Sequence, residues 1–162
     1  MNEATLDLLL DVVGRLERNI TARQCPAVCG LDGDRRLTLS GYEYLRDDAS
    51  AAAFERRAAA QANRLRARRW VLAVPMIIAV PPGSGLHGRP VSNQGPREGE
   101  QEAIVWTAFD HDDGIDYGIV AYTRRPDGRP VYHTPEIFTA PLAGTAIAPG
   151  SVLRQTLLSD PS

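Results

Sequence analysis

Residues 103–138 read AIVWTAFD (103–110), HDDG (111–114), IDYGIVAYTRR (115–125), PDGR (126–129) and PVYHTPEIF (130–138). Three runs rich in β-branched and aromatic residues are separated by two short Asp-Gly stretches, the pattern of strands joined by hairpin turns. A meander of antiparallel strands over 103–110, 115–125 and 130–138 is therefore expected. With Asp127 and Gly128 as a two-residue turn, Tyr122 falls opposite His133. With His111 to Gly114 as a four-residue loop, Trp106 falls opposite Ile119. This register puts Ile104, Trp106, Ala108, Ile115, Tyr117, Ile119 and Ala121 on one apolar face. The other face would carry Val105, Thr107, Phe109, Asp116, Gly118, Val120, Tyr122, Arg124 and His133.

Outward from the meander, Trp70 to Val80 is a continuous apolar run suited to a buried strand over 70–80. Pro75 within it has no amide to donate, which suggests an edge position or a bulge. Residues Pro81 to Glu102 carry glycines and prolines without hydrophobic periodicity, so a mobile loop is expected over 81–102. Beyond the meander, 139–162 reads as a docking tail with a short helix over Val152 to Leu158, capped by Ser151.

The N-terminal third is helical in pattern. Leu6, Leu9, Leu10, Val13, Leu16 and Ile20 recur at three and four residue intervals, predicting an amphipathic helix over 3–21. Cys25 to Leu39 reads as a connector with a possible strand at Arg36 to Leu39. Ser40 and Glu43 have the spacing of a capping box, so a second helix is expected over 41–69. In projection it places Phe54, Ala58, Ala62 and Leu65 on one side and Arg56, Arg57, Arg64 and Arg68 on another. The whole is expected to be a single α+β domain, with the N-terminal helices packed on one face of a mostly antiparallel β-meander sheet.

Composition narrows the function classes. The chain has 162 residues, 43% hydrophobic and 23% charged, values of an ordinary globular domain. The formal net charge of −2 gives no global attraction to nucleic acid or an anionic membrane. All 18 basic residues are arginine, which excludes Schiff-base or general-base lysine chemistry. Two cysteines are too few for a disulfide framework, and no leader-like stretch precedes them, so a reducing, cytoplasmic setting is expected. The run Trp70 to Val80 is about half the roughly 20 residues that span a bilayer, so no membrane partner is expected.

Four groups of residues invite a chemical reading. Gly83, Gly85 and Gly88 have the spacing of a dinucleotide loop, but Arg89 and Pro90 follow where a helix must open, so no nucleotide cofactor is expected. Asp110, His111, Asp112, Asp113 and Asp116 are dense in oxygen donors, yet Ile115 and Ala121 stand where an EF-hand loop needs its glycine and its bidentate glutamate. Cys25 and Cys29 have no second pair of ligands near in sequence, so no metal is expected there either. The remaining group, Tyr122, His133 and Asp116 with Arg124 as an anion holder, is the candidate acid/base constellation on the mixed sheet face.

The arginine stripe Arg56, Arg57, Arg64 and Arg68 is a candidate binding surface for an acidic partner. Nucleic acid is possible there but not favoured, because aromatic residues do not interleave. The leading expectation is a non-enzymatic interaction or assembly module, self-associating or part of a larger complex. The alternative is a small-molecule enzyme, an isomerase, cyclase or hydrolase, using the open sheet face.

Overall fold

The computed structural model describes residues 1–79, 87–91, 95–138 and 148–159. It contains α1 (Glu3–Thr21), β1 (Ala27–Asp32), β2 (Arg36–Gly41), α2 (Asp48–Leu65), β3 (Arg69–Ala79), β4 (His87–Pro90), β5 (Glu100–Asp110), β6 (Gly114–Arg124), β7 (Pro130–Tyr132), β8 (Glu136–Phe138) and α3 (Ser151–Ser159). The strands form one antiparallel sheet in the order β2-β1-β3-β5-β6-β7, with β4 added to β3 and β8 to β6. The fold is α+β, as the sequence pattern implies.

The helices divide between the two faces rather than sharing one. Along β3, Val71 and Ala73 belong to an apolar cluster with Leu8, Leu9, Val12, Val13, Leu16 and Ile20 of α1. The alternate residues Trp70, Leu72, Val74, Met76 and Ile78 pack with Phe54, Ala58, Ala62 and Leu65 of α2 and with Leu153 of α3. A strand whose neighbouring residues are both buried needs cover on both faces, which is why β3 is apolar throughout.

Both hairpin loops differ from expectation by one residue: the first has three residues, 111–113, rather than four, and the second has three, 126–128, rather than two. Gly114 (φ 83°) and Gly128 (φ 88°) adopt the left-handed conformation that closes a three-residue loop. Trp106 therefore pairs with Gly118 and Tyr122 with Tyr132, not with Ile119 and His133. The slip moves β6 by one position and exchanges its faces. Val120 and Tyr122 join the α1 cluster beside Trp106, whereas Ile115 and Ile119 lie under α2 and α3. Val105, also assigned to an open face, is buried under α2.

Other boundaries change for local reasons. Residues 27–32, within the stretch read as a connector, form β1; Gly30 there lets α1 approach, since a Cβ would run into the side chains of Val12 and Leu8. Ser40 is in β2, and α2 begins at Asp48 with Asp47 as its cap, its carboxylate accepting the Ser50 N–H at 2.7 Å. Pro75 is inside the sheet. On one side it pairs with Ile104 of β5; on the other, β1 ends opposite Ala73 and β4 begins opposite Met76. Its missing amide thus falls in a gap in the ladder, where no partner strand needs it.

In the stretch 81–102 expected to be loop, β4 and the start of β5 are strands, while 81–86 and 92–94 lie outside the described residues, as does residue 80 at the end of the expected strand 70–80. The expected strand 130–138 is split into β7 and β8 around Pro135. Of the tail, 139–147 and 160–162 lie outside the described residues, and α3 packs on α2 through the fully buried Leu153.

Candidate functional site

The candidate acid/base residues are separated. Tyr122 is fully buried beneath α1, its ring 5.4 Å from that of Tyr132 and 5.6 Å from the Arg124 guanidinium carbon. Burial pushes its phenol above the ordinary range, and its hydroxyl has no hydrogen-bond partner among the described residues. His133 is exposed, and its backbone N–H donates to the carbonyl of Ala121 at 2.9 Å. Asp116 is on the same strand and face as Tyr122 but six residues away, about 20 Å at the strand rise. It faces the N-terminal amine at 3.8 Å. Arg124 is engaged by Glu102, to which its Nε and Nη2 donate at 2.9 and 3.2 Å, and its Nη1 donates to the Gly128 carbonyl at 3.0 Å. The structure brings Arg124 and Tyr122 together and leaves Asp116 and His133 apart from them.

The acidic hairpin does structural work. Asp110 Oδ1 accepts the backbone N–H groups of Asp112 and Asp113 at 2.8 and 3.1 Å, and Oδ2 accepts from Arg69 Nε at 3.1 Å and from Thr5 Oγ1 at 3.3 Å. Arg69 also donates to Asp32 at 2.8 Å, so one guanidinium ties the ends of β1, β3 and β5. Burial opposes ionisation of Asp110, but these donors outweigh it and hold its carboxyl well below the usual range. Among the described residues, no group of three or more His, Cys, Asp and Glu is arranged to hold a metal ion. Of the glycine trio read for a dinucleotide loop, Gly88 is in β4 and Gly83 and Gly85 lie outside the described residues.

On α2, Arg56, Arg57 and Arg64 are exposed and make no ion pair among the described residues, whereas Arg68, beyond the helix, pairs with Asp112 at 3.3 Å. Arg57 lies 5.8 Å from the centre of the Phe54 ring, at a recess of about 310 Å³ that Tyr42 and Tyr44 also line.

Two features escaped the sequence reading. Glu55 on α2 is fully buried, and the signal was present: at 100° per residue it projects between Ala59 and Ala62, inside the apolar arc. The second is the edge formed by β2. Its residues Arg36 to Ser40 make no backbone hydrogen bond other than those to β1 among the described residues. The strand is six residues long, contains no proline and carries one charge, Arg36, which α1 holds through Asp7 at 3.3 Å. The opposite side of the sheet ends in β7 and β8, three residues each, with Pro130 in β7 and Pro135 between the two strands. Comparison with family models, with curated proteins and with solved structures finds no match. No described helix is long and apolar enough to cross a membrane.

Proposed function

We propose that the protein is a non-enzymatic association module whose contact surface is the outer edge of β2. The observation that carries this reading is the contrast between the two sides of the sheet. Exposed strand edges are templates for pairing, and proteins blunt them with short strands, prolines, bulges or charges. The β7 and β8 side has short strands and prolines; β2 has a single charge already engaged by its own chain. Helices cover both faces of the sheet, so an edge is where backbone groups remain to be recognised. The separation of Asp116 and His133 from Tyr122 removes the arrangement on which an acid/base reading depended.

Light scattering coupled to size exclusion tests the proposal. The expected result is a species heavier than one chain, whose mass falls on dilution over about a hundredfold range of concentration. A single-chain mass throughout, together with no retention of other proteins by the wild type relative to a Thr38→Pro variant, would overturn it.

A further inference from the structure

Resting on the association reading above, we propose that the partner of β2 is β2 of a second copy, paired antiparallel about a two-fold axis through Thr38. In an antiparallel pair, directly opposed residues project to the same face, so a symmetric pairing that keeps the two faces of the sheet matched must place one residue opposite its own copy. Thr38 is the residue that makes the strand self-complementary. The sequence Arg36-Leu37-Thr38-Leu39-Ser40 is palindromic in character about it. Leu37 then faces Leu39 of the second copy, Arg36 faces its Ser40, and Thr38 faces Thr38.

Each pairing is of a favourable kind. Leu37 and Leu39 are half-buried and pack with the α2 cluster, so placing them opposite each other extends that apolar layer across the axis. Threonine opposite threonine is a good cross-strand pair. The one charge of the strand meets a neutral serine rather than its own image, so no like charges are opposed. A shift of two residues in either direction would break this: centring on Arg36 opposes two guanidinium groups, and centring on Ser40 leaves Leu37 facing residues beyond the strand. A shift of one residue centres the pair on a leucine: on Leu37 it opposes Thr38 to Arg36 and pairs fewer strand residues, and on Leu39 it sets Leu37 opposite Gly41, so that its cross-strand leucine partner is lost.

Beyond the strand, the same register carries Tyr42, 64% exposed, to the level of Asp34 of the second copy, where a phenol can donate to a carboxylate. The contact is at the small end of protein interfaces, so a dissociation constant on the order of micromolar is expected.

A cysteine scan of the edge tests the register. Thr38→Cys should give a covalent dimer on mild oxidation or with a short bismaleimide, because only this position faces itself, while Arg36→Cys and Ser40→Cys alone should not. Wild type, with Cys29 buried and Cys25 half-buried, is the background. Thr38→Lys, opposing two ammonium groups, should weaken the dimer at least tenfold without changing the circular dichroism spectrum, and Thr38→Ser should leave it intact. A dimer that Thr38→Lys leaves unchanged and Thr38→Cys fails to lock refutes this pairing while the association reading stands. A protein that is monomeric and captures no partner refutes both.

Discussion

The carboxylate of Glu55 accepts a 2.6 Å hydrogen bond from Tyr44 Oη on one oxygen and the backbone N–H of Leu153 at 3.0 Å on the other. A side chain of α2 thereby caps α3, taking up an amide that the first turn of a helix leaves unpaired. The position expected for a conventional cap, Ser151, opens the helix, but the buried acceptor comes from another element nearly 100 residues earlier in the chain.

Removing the Glu55 charge while keeping an acceptor isolates its effect on stability. Burial raises its pKa above the ordinary 4.5, and the hydrogen bonds from Tyr44 and from the start of α3 only partly oppose that rise. A group with a raised folded pKa contributes stability that is complete below its unfolded value and is lost as pH rises through the folded one. The difference in urea midpoint between wild type and Glu55→Gln should therefore shift in favour of the variant as pH rises from about 4.5 toward neutrality. A difference that is constant over that range would contradict the assignment.

Asp110 should behave with the opposite sign. Its folded pKa is depressed, so its contribution is present above about 3.8 and is lost as pH falls below that value. Asp110→Asn should cost about 2 kcal/mol at neutral pH, the scale of hydrogen bonds to a charged group, and the cost should shrink in acid. Chemical denaturation of both forms at neutral pH and in acid checks it.

Gly118→Ala should destabilise the fold by about 2 to 3 kcal/mol, a typical overpacking cost. An added Cβ would run into the Trp106 ring and the Glu136 carbonyl, the second of which is backbone and cannot swing aside. Thermal unfolding measures this, and an unchanged midpoint would mean that β8 does not cross β6 at Gly118.

How far the sequence was legible depended on the range of the cause. The α1 stripe and the Phe54, Ala58, Ala62, Leu65 stripe are local periodicities and appear where expected. Even so, Leu6 and Leu10 of the first stripe remain exposed, because the sheet covers a narrower arc than the helix offers. The meander strands were legible, but their register was not. It turned on single residues at the loop ends, Gly114 belonging to β6 and Pro126 to the second loop, and one residue of slip carried Tyr122 from an open face into the core. The candidate site inherited that error. β1 was missed because Gly30 and Asp32 look like turn residues locally, while their placement answers to α1 and to Arg69.

Amide hydrogen exchange of β2, followed residue by residue at low and high protein concentration, shows whether its outer edge pairs. If the edge pairs with a second copy, the outward-pointing amides among Arg36 to Ser40 exchange quickly in dilute solution and become protected as concentration rises, while amides in β3 and β5 keep the same protection throughout. Exchange rates in β2 that stay fast at every concentration, in a sample whose mass shows association, would contradict the account.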